Sequence, residues 1–211
     1  MFELIKKTET TEKYIIELWN NQKYTNKKIL IIGGFHGDEP QGVKILTEYL
    51  NLQTATSNAI FVVPCLNPEG YSKQTRTNSN NVDLNRNFPT SNWKETTKNE
   101  FYGGSAPNSE PETIFLTEII ENINPDFILT LHAPFKIVNF DGPALEISEK
   151  IAKIIGYKTQ SDIGYPTPGS FGTYCGVERN IPTITLELGE DETLEWQKDK
   201  CFKIFDLLGN I

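Results

Sequence analysis

The sequence predicts an α/β protein, in which a mainly parallel, mixed and twisted sheet carries helices on both faces. Short apolar runs alternate with longer segments of helical period along the 211 residues, a pattern typical of strand–helix–strand units. The composition, 37% apolar and 23% charged, is that of an ordinary globular protein. At this length we expect one domain that spans residues 1–211.

Each predicted element has its own signal in the sequence. Apolar runs rich in β-branched residues predict buried strands, and apolar residues at helical spacing predict helices. The predicted strands are 28–32, 59–63, 127–131 and 182–188, and the predicted helices are 40–52, 143–155 and 194–208. One more helix is predicted to open at a capping box formed by Ser109 and Glu112, with Ile114 and Phe115 on its apolar side.

The stretch 67–108 has no clear element and is rich in Asn, Thr, Ser, Gly and Pro. Loops of this length in compact domains are usually functional. We therefore expect part of the functional site in this stretch.

The charge and cysteine content narrow the function classes. The net charge of −8 gives no support to binding of nucleic acid or of an anionic membrane. No window approaches the roughly 20 apolar residues of a membrane span, and the amino terminus lacks the apolar core of a signal peptide. The three cysteines are widely spaced and odd in number, which favours a reducing compartment. We therefore expect a cytoplasmic protein.

The two histidines of the chain both follow predicted strands. His36 comes directly after the run 29–32, with Glu39 three positions later, and His132 ends the run 127–131. Ligands of open α/β sheets bind beyond the carboxyl ends of the strands, and two His with one carboxylate form a known catalytic zinc set. The alternative is that each His is an isolated loop residue with ordinary hydrogen bonds.

Glu187 lies in an apolar strand, where a carboxylate lowers stability unless it is paired or functional. Strand alternation could simply direct it to solvent. At the end of a strand on the same sheet edge as the two histidines, it could instead act as a general base.

Several polar side chains stand close together in the long loop. Arg86 with Asn85 could hold a substrate carboxylate through charge-assisted contacts, and Arg76 could polarise a scissile carbonyl. The alternative is a solvated surface loop.

Taken together, these segments resemble the zinc carboxypeptidase family related to pancreatic carboxypeptidase A. The resemblance extends over about residues 29–188, and no single motif carries it alone. The matching segments, in chain order, are GGFHGDE (33–39), NPEG (67–70), RTN (76–78), VDLNRNF (82–88), SEPET (109–113), His132 and TLEL (185–188).

The resemblance implies a role for each matching residue. His36, Glu39 and His132 match the ligands of a single Zn²⁺, and Glu187 matches the general base. Arg76 matches the arginine that stabilises the oxyanion, and Asn85 and Arg86 match the pair that binds the terminal carboxylate of a small peptide substrate. Tyr165 lies near the family's spacing for the tyrosine that closes over bound substrate.

Local details around 131–134 and 138–144 are most similar to bacterial members of the family that act on the murein tripeptide L-Ala-γ-D-Glu-meso-diaminopimelate. This similarity implies cleavage of the γ-D-Glu–diaminopimelate amide, within recycling of cell-wall peptides. Asp141 could bind the distal ammonium of diaminopimelate or could be a turn residue before Gly142. Residues 171–173 lack the acid that family members specific for Lys and Arg carry on the pocket floor, which argues against simple basic specificity.

Three other functions stay open. A deacylase related to succinylglutamate desuccinylase or aspartoacylase shares the early HxxE and the DLNR segment, whereas SEPET and the complete NRNF favour a peptidase. A carboxypeptidase acting on ordinary peptides would use the same residues. A non-enzymatic zinc-binding or peptide-binding module is disfavoured by the complete set of ligands, base and arginines.

Overall fold

The computed structural model describes residues 1–21, 27–53 and 55–211, and within them eight strands form one mixed sheet. The strands are β1 (Glu3–Glu9), β2 (Ile15–Asn20), β3 (Lys28–Gly33), β4 (Ala59–Val63), β5 (Phe127–His132), β6 (Ile137–Asp141), β7 (Lys158–Gln160) and β8 (Thr183–Glu187). Their order across the sheet is β1-β2-β4-β3-β5-β8-β6-β7. The mixed α/β architecture predicted from the sequence is confirmed.

The centre of the sheet is parallel and its two sides bring in antiparallel pairs. Strands β4, β3, β5 and β8 run parallel, whereas β2 pairs antiparallel with β4 and β6 pairs antiparallel with β8. The four parallel strands are the four that the sequence predicts, each within one residue at either end. They are recognisable because strands buried on both faces read as nearly continuous apolar runs.

Helices cover both faces of this sheet, as predicted. They are α1 (Pro40–Leu50), α2 (Pro68–Lys73), α3 (Pro111–Ile123), α4 (Leu145–Ile155) and α5 (Leu194–Gly209). Alternate residues of β3 point to opposite faces, so Ile29 and Ile31 pack with the core under α1, α4 and α5, whereas Leu30 and Ile32 pack with the core under α3. Over the described residues, no helix has the length and apolar character required to cross a membrane.

The start of α3 corrects one prediction. The cap residue is Glu110, with Pro111 in the first turn, and no side chain caps the helix. The hydroxyl of Ser109 instead donates to the carboxylate of Glu110 at 2.7 Å. The capping box is therefore absent. Ile114, predicted on the apolar side, is 40% exposed, because the buried side of α3 carries Phe115 and Ile119 instead.

Two other groups of elements were missed from the sequence. The hairpin of β1 and β2 and the short strands β6 and β7 are half-polar, so their apolar runs are too short to stand out. The stretch 67–108 also contains α2 and a single 3₁₀ turn, Leu84–Arg86. The signal for α2 was present, since Asn67 caps the helix by accepting from the N–H of Gly70 and Pro68 follows it.

The strand order creates a switch point at β3. The connection through α1 leads from β3 to β4 on one side, whereas β5 lies on the other side of β3. Chain segments that leave neighbouring strands in opposite directions open a crevice at the carboxyl ends of those strands. The residues that follow β3, β5 and β8 therefore meet at one edge of the sheet.

Candidate metal centre and catalytic cleft

Strand register brings the predicted metal and base residues together. His36 follows β3, His132 is the last residue of β5, and Glu187 is the last residue of β8. His132 and Glu187 are direct partners on adjacent parallel strands. The N–H of Leu188 donates to the carbonyl of His132 at 2.8 Å, which extends the pairing past the strand ends.

The side chains of His36, Glu39 and His132 form a group with the donors of a metal site. Nδ1 of His36 lies 2.7 Å from Oε1 of Glu39, and Nδ1 of His132 lies 3.1 Å from Oε2 of the same carboxylate. One ligand atom from each residue lies within 4.8 Å of the others. Two imidazoles and one carboxylate, converging at the edge of a cleft, fit a catalytic zinc ion that keeps an open position.

Asp83, a residue without a predicted role, contacts His36 through the ring nitrogen that does not face Glu39. It is fully buried, and its Oδ1 lies 3.1 Å from Nε2 of His36. A partner on Nε2 leaves Nδ1 of His36 as the nitrogen available to a metal, the usual arrangement of a carboxylate behind a histidine ligand. Its other oxygen accepts from Nε and Nη2 of Arg76 at 3.2 and 2.9 Å.

The charges of the group favour a bound cation. Burial alone would raise the pKa of Glu39, but the two histidines hold it well below the usual range. Burial lowers the pKa of both histidines, and at His132 this effect prevails. At His36 the carboxylates of Glu39 and Asp83 outweigh burial and raise the pKa to about 9. At neutral pH the metal-free group therefore favours a proton on His36, one of the residues that would hold a metal ion.

Glu187 has a buried environment, unlike that of a surface carboxylate. It is only 7% exposed, and burial, aided by the negative charge of Glu39, raises its pKa to about 8. Its Oε2 is buried and has no hydrogen-bond partner among the described residues. The solvent-facing alternative considered from the sequence is therefore wrong.

The arginines of the long loop also face the cleft, so they are not a solvated surface patch. Arg76 is held by Asp83 and lies 3.7 Å from the carboxylate of Glu39. Nη1 of Arg86 donates to the backbone carbonyl of Asn85 at 2.6 Å. Oδ1 of Asn85 accepts from the N–H of Phe171 at 2.9 Å, which leaves its NH₂ available for another acceptor.

All nine site residues predicted from the sequence line one cleft of about 680 Å³. They include Tyr165, which is 41% exposed on the loop after β7, and Asp141, the last residue of β6. The hydroxyl of Tyr165 forms no hydrogen bond to any other residue that the structure describes. The structure thus places these side chains at one site, while their chemical roles stay predictions.

Asp141 places a carboxylate against the wall of this cleft. It is half-buried, burial raises its pKa to about 6, and within the described residues its side chain has no hydrogen-bonded partner. The opposing wall is backbone, because a Cβ at Gly172 or at Gly176 would collide with Asp141. β6 therefore supplies an acid next to Gly172, while the expectation against simple basic specificity stays a prediction.

Comparison with known proteins agrees with this geometry. Residues 8–144 match the zinc carboxypeptidase family. Murein peptide amidase A of Escherichia coli (strain K12) is 35% identical over 191 residues, covering 85% of this chain and 78% of that protein. The crystal structure of murein-tripeptide amidase from Escherichia coli O157 superposes with a TM-score of 0.85 at 30% identity, covering 98% and 91% of the two chains. Carboxypeptidase A from Helicoverpa armigera shares the fold, with a TM-score of 0.78 at 16% identity, covering 98% of this chain and 66% of that one.

Proposed function

Because this chain belongs to the zinc carboxypeptidase family, and is thus a metallo-hydrolase of peptide or amide bonds, we propose that it releases meso-diaminopimelate from the murein tripeptide L-Ala-γ-D-Glu-meso-diaminopimelate. The observation that carries the proposal is the convergence, in one cleft, of a metal-donor group, a buried base and two arginines. The similarity to murein peptide amidases over most of the chain supports the choice of substrate.

We propose that His36, Glu39 and His132 hold one Zn²⁺ per chain. When bound, zinc supplies Lewis-acid catalysis, since it polarises a carbonyl oxygen and brings the pKa of its water to around 7. Asp83 keeps His36 in the tautomer that presents Nδ1. The same donor set also accepts other divalent first-row metals.

The remaining cleft residues perform the proton transfers and bind the substrate. Glu187 removes a proton from the attacking water and delivers it to the nitrogen of the leaving diaminopimelate. Arg76, fixed by Asp83, donates to the carbonyl oxygen of the scissile amide as negative charge develops there. Arg86 and the NH₂ of Asn85 bind the carboxylate next to the scissile bond.

We assign Asp141 to the distal ammonium of diaminopimelate. It faces the same cleft as Arg86, and its carboxylate has no cationic partner among the described residues. With a pKa of about 6, most of it is ionised at neutral pH. Tyr165, exposed at the cleft, is assigned to cover the bound substrate.

The test of the proposed function is mass spectrometry of the tripeptide incubated with the zinc-loaded protein. We expect free meso-diaminopimelate together with L-Ala-γ-D-Glu. An N-succinyl or N-acetyl amino acid and an ordinary peptide with a free carboxyl terminus serve as parallel substrates. Release of succinate or acetate with an intact tripeptide would identify a deacylase, and hydrolysis of the ordinary peptide alone would identify a general carboxypeptidase. Tight binding without cleavage of any substrate would identify a binding module.

The Asp141→Asn variant is expected to lower kcat/KM for the tripeptide by about 10- to 100-fold, the loss of one hydrogen bond to a charged group. A tripeptide ending in 2-aminopimelate, which differs from diaminopimelate only by lacking the distal amine, should be hydrolysed equally well by the variant and the wild type. Glu190→Gln is the matched control, since Glu190 is an exposed acid at the rim of the same cleft. An equal loss on both substrates would remove Asp141 from ammonium recognition.

We propose a cytoplasmic location for this protein. Cys65, Cys175 and Cys201 form no disulfide among the described residues, which suits a reducing cytoplasm. Burial raises the pKa of Cys65 and of Cys201 to about 12, so these thiols are inert at neutral pH. A cytoplasmic amidase of this specificity would act in recycling of wall peptides.

A further inference from the structure

Phe101 is an exposed aromatic residue in the catalytic cleft that the mechanism above does not use. It is 41% exposed and lines the cleft from within the long loop. Its ring centre lies 5.3 Å from Cζ of Arg76 and 5.9 Å from Cζ of Arg86. A guanidinium within about 6 Å of an aromatic ring is attracted by the electrons of its face.

The turn that carries Phe101 is fixed to the segment that carries Arg86. The carbonyl of Tyr102 accepts from the N–H of Asp83 at 2.8 Å, and the carbonyl of Gly103 accepts from Nδ2 of Asn87 at 2.7 Å. These two hydrogen bonds attach the turn on both sides of Arg86. The ring therefore faces the cleft from a turn that two hydrogen bonds attach to the segment of Arg86.

The two arginines differ in how much else holds them. Arg76 has two hydrogen bonds to the buried carboxylate of Asp83. The guanidinium of Arg86 has a single hydrogen bond within the described residues, to the carbonyl of Asn85. Arg86 is only 5% exposed, so packing rather than hydrogen bonding holds most of its side chain, and the ring of Phe101 is part of that packing. Since Asp83 already fixes Arg76, we expect the ring to matter most for Arg86.

We propose that Phe101 is a positioning residue whose ring holds the guanidinium of Arg86 against the cleft wall, ready for the substrate carboxylate. This inference rests on the proposed role of Arg86 in binding that carboxylate. It is independent of the side chain that the terminal residue of the substrate carries. Any peptide with a free terminal carboxylate that enters the cleft should depend on Phe101.

The test compares Phe101→Leu, which keeps bulk without an aromatic face, with Phe101→Tyr. We expect the Leu variant to raise KM for the tripeptide about three- to tenfold, with kcat changed less than about threefold, and the Tyr variant to stay within about twofold of wild type. The unfolding temperature of both should stay within about 2 °C of wild type because the side chain is exposed. Tyr14→Leu, at an exposed aromatic outside the cleft lining, is the matched control.

A double-mutant cycle shows whether the ring acts through Arg86. In an Arg86→Gln background, Phe101→Leu should change kcat/KM by less than about twofold, since the group that it positions is gone. The same loss in both backgrounds, or full activity of the Leu variant, would overturn the proposal.

Binding measured without turnover separates this inference from the proposed function. In zinc-loaded Glu187→Gln protein, calorimetry gives the Kd of the tripeptide and of an ordinary peptide with a free carboxyl terminus. We expect Phe101→Leu to weaken both about equally. If wild type releases no diaminopimelate but peptide binding still depends on Phe101, the murein assignment fails and the inference holds. If no peptide binding depends on Phe101, the inference fails whatever the substrate.

Discussion

The Glu187→Gln variant is expected to lower kcat for the tripeptide by about 10²- to 10⁴-fold, the contribution typical of a positioned general base. Gln has nearly the shape of Glu but cannot accept a proton from water. The substitution leaves unchanged Asn85 and Arg86, the residues proposed to bind the substrate carboxylate, so KM should change by less than about threefold. Zinc content, measured on the purified variant, should equal that of wild type, because Glu187 is outside the donor group.

The same substitution has a predicted effect on stability, with a definite sign. In the metal-free protein, burial raises the pKa of Glu187 from 4.5 to about 8, so the folded state binds this proton more tightly than the unfolded state. The contribution of Glu187 to the free energy of unfolding of wild type therefore falls as pH rises from 4.5 to about 8, by on the order of a few kcal/mol. Gln does not titrate. The free energy of unfolding of the variant, relative to that of wild type, should therefore increase as pH rises from 4.5 to about 8 and stay constant above that pH.

Urea denaturation of metal-free protein at several pH values measures this difference. Glu190→Gln is the control, since Glu190 is three positions away in sequence but exposed. It should retain both the activity and the pH dependence of wild type. If Glu187→Gln kept more than about a tenth of the wild-type kcat, Glu187 would not be the base.

The parts of the fold and site that could be predicted from sequence are those set by local pattern. Ile29 to Ile32 form a continuous apolar run, and such a run forms the buried parallel strand at the centre of the sheet. His36 and His132 could be placed together because chain topology brings the ends of parallel strands to one edge. Glu187 joined them for the same reason.

The parts that escaped prediction depend on packing between distant segments. Asp83 lies close to Arg76 in sequence, but its contact with His36 exists only because the long loop folds back against the end of β3. The contact of Asp141 with Gly172 likewise depends on β6 lying beside the π-helical turn Thr173–Val177. The capping box failed for a local reason, since the cap position is taken by Glu110 and Ser109 lies one residue before it.

Removal of His132, a proposed metal ligand, is expected to have the second large effect on activity. His132→Ala leaves one imidazole and one carboxylate, and we expect its zinc affinity to fall by more than about 100-fold, beyond the 10- to 100-fold typical of a supporting residue. Hydrolysis of the tripeptide should be lost with the metal. Chelation of wild type should give the same loss, and added zinc should restore activity only in wild type.

Asp83→Asn provides the graded comparison for this experiment. Asn can still approach Nε2 of His36 but carries no charge, so zinc affinity should fall by about 10- to 100-fold. The hydrogen bonds from Arg76 to this side chain should weaken as well. Because Asp83 contacts both His36 and Arg76, saturating zinc should restore the metal content of the variant but not its full kcat.

The two variants are also distinguished by thermal unfolding, which does not depend on turnover. A ligand that binds only the folded state stabilises it by about 2.7 kcal/mol at 100 times its Kd. Zinc should therefore raise the unfolding temperature of wild type strongly, that of Asp83→Asn less, and that of His132→Ala very little. Because zinc must displace the proton that His36 holds with a pKa of about 9, the shift in wild type should increase as pH rises from 6 towards 9. An equal zinc-dependent shift in wild type and His132→Ala would show that the metal binds elsewhere, and the proposed donor group would then be wrong.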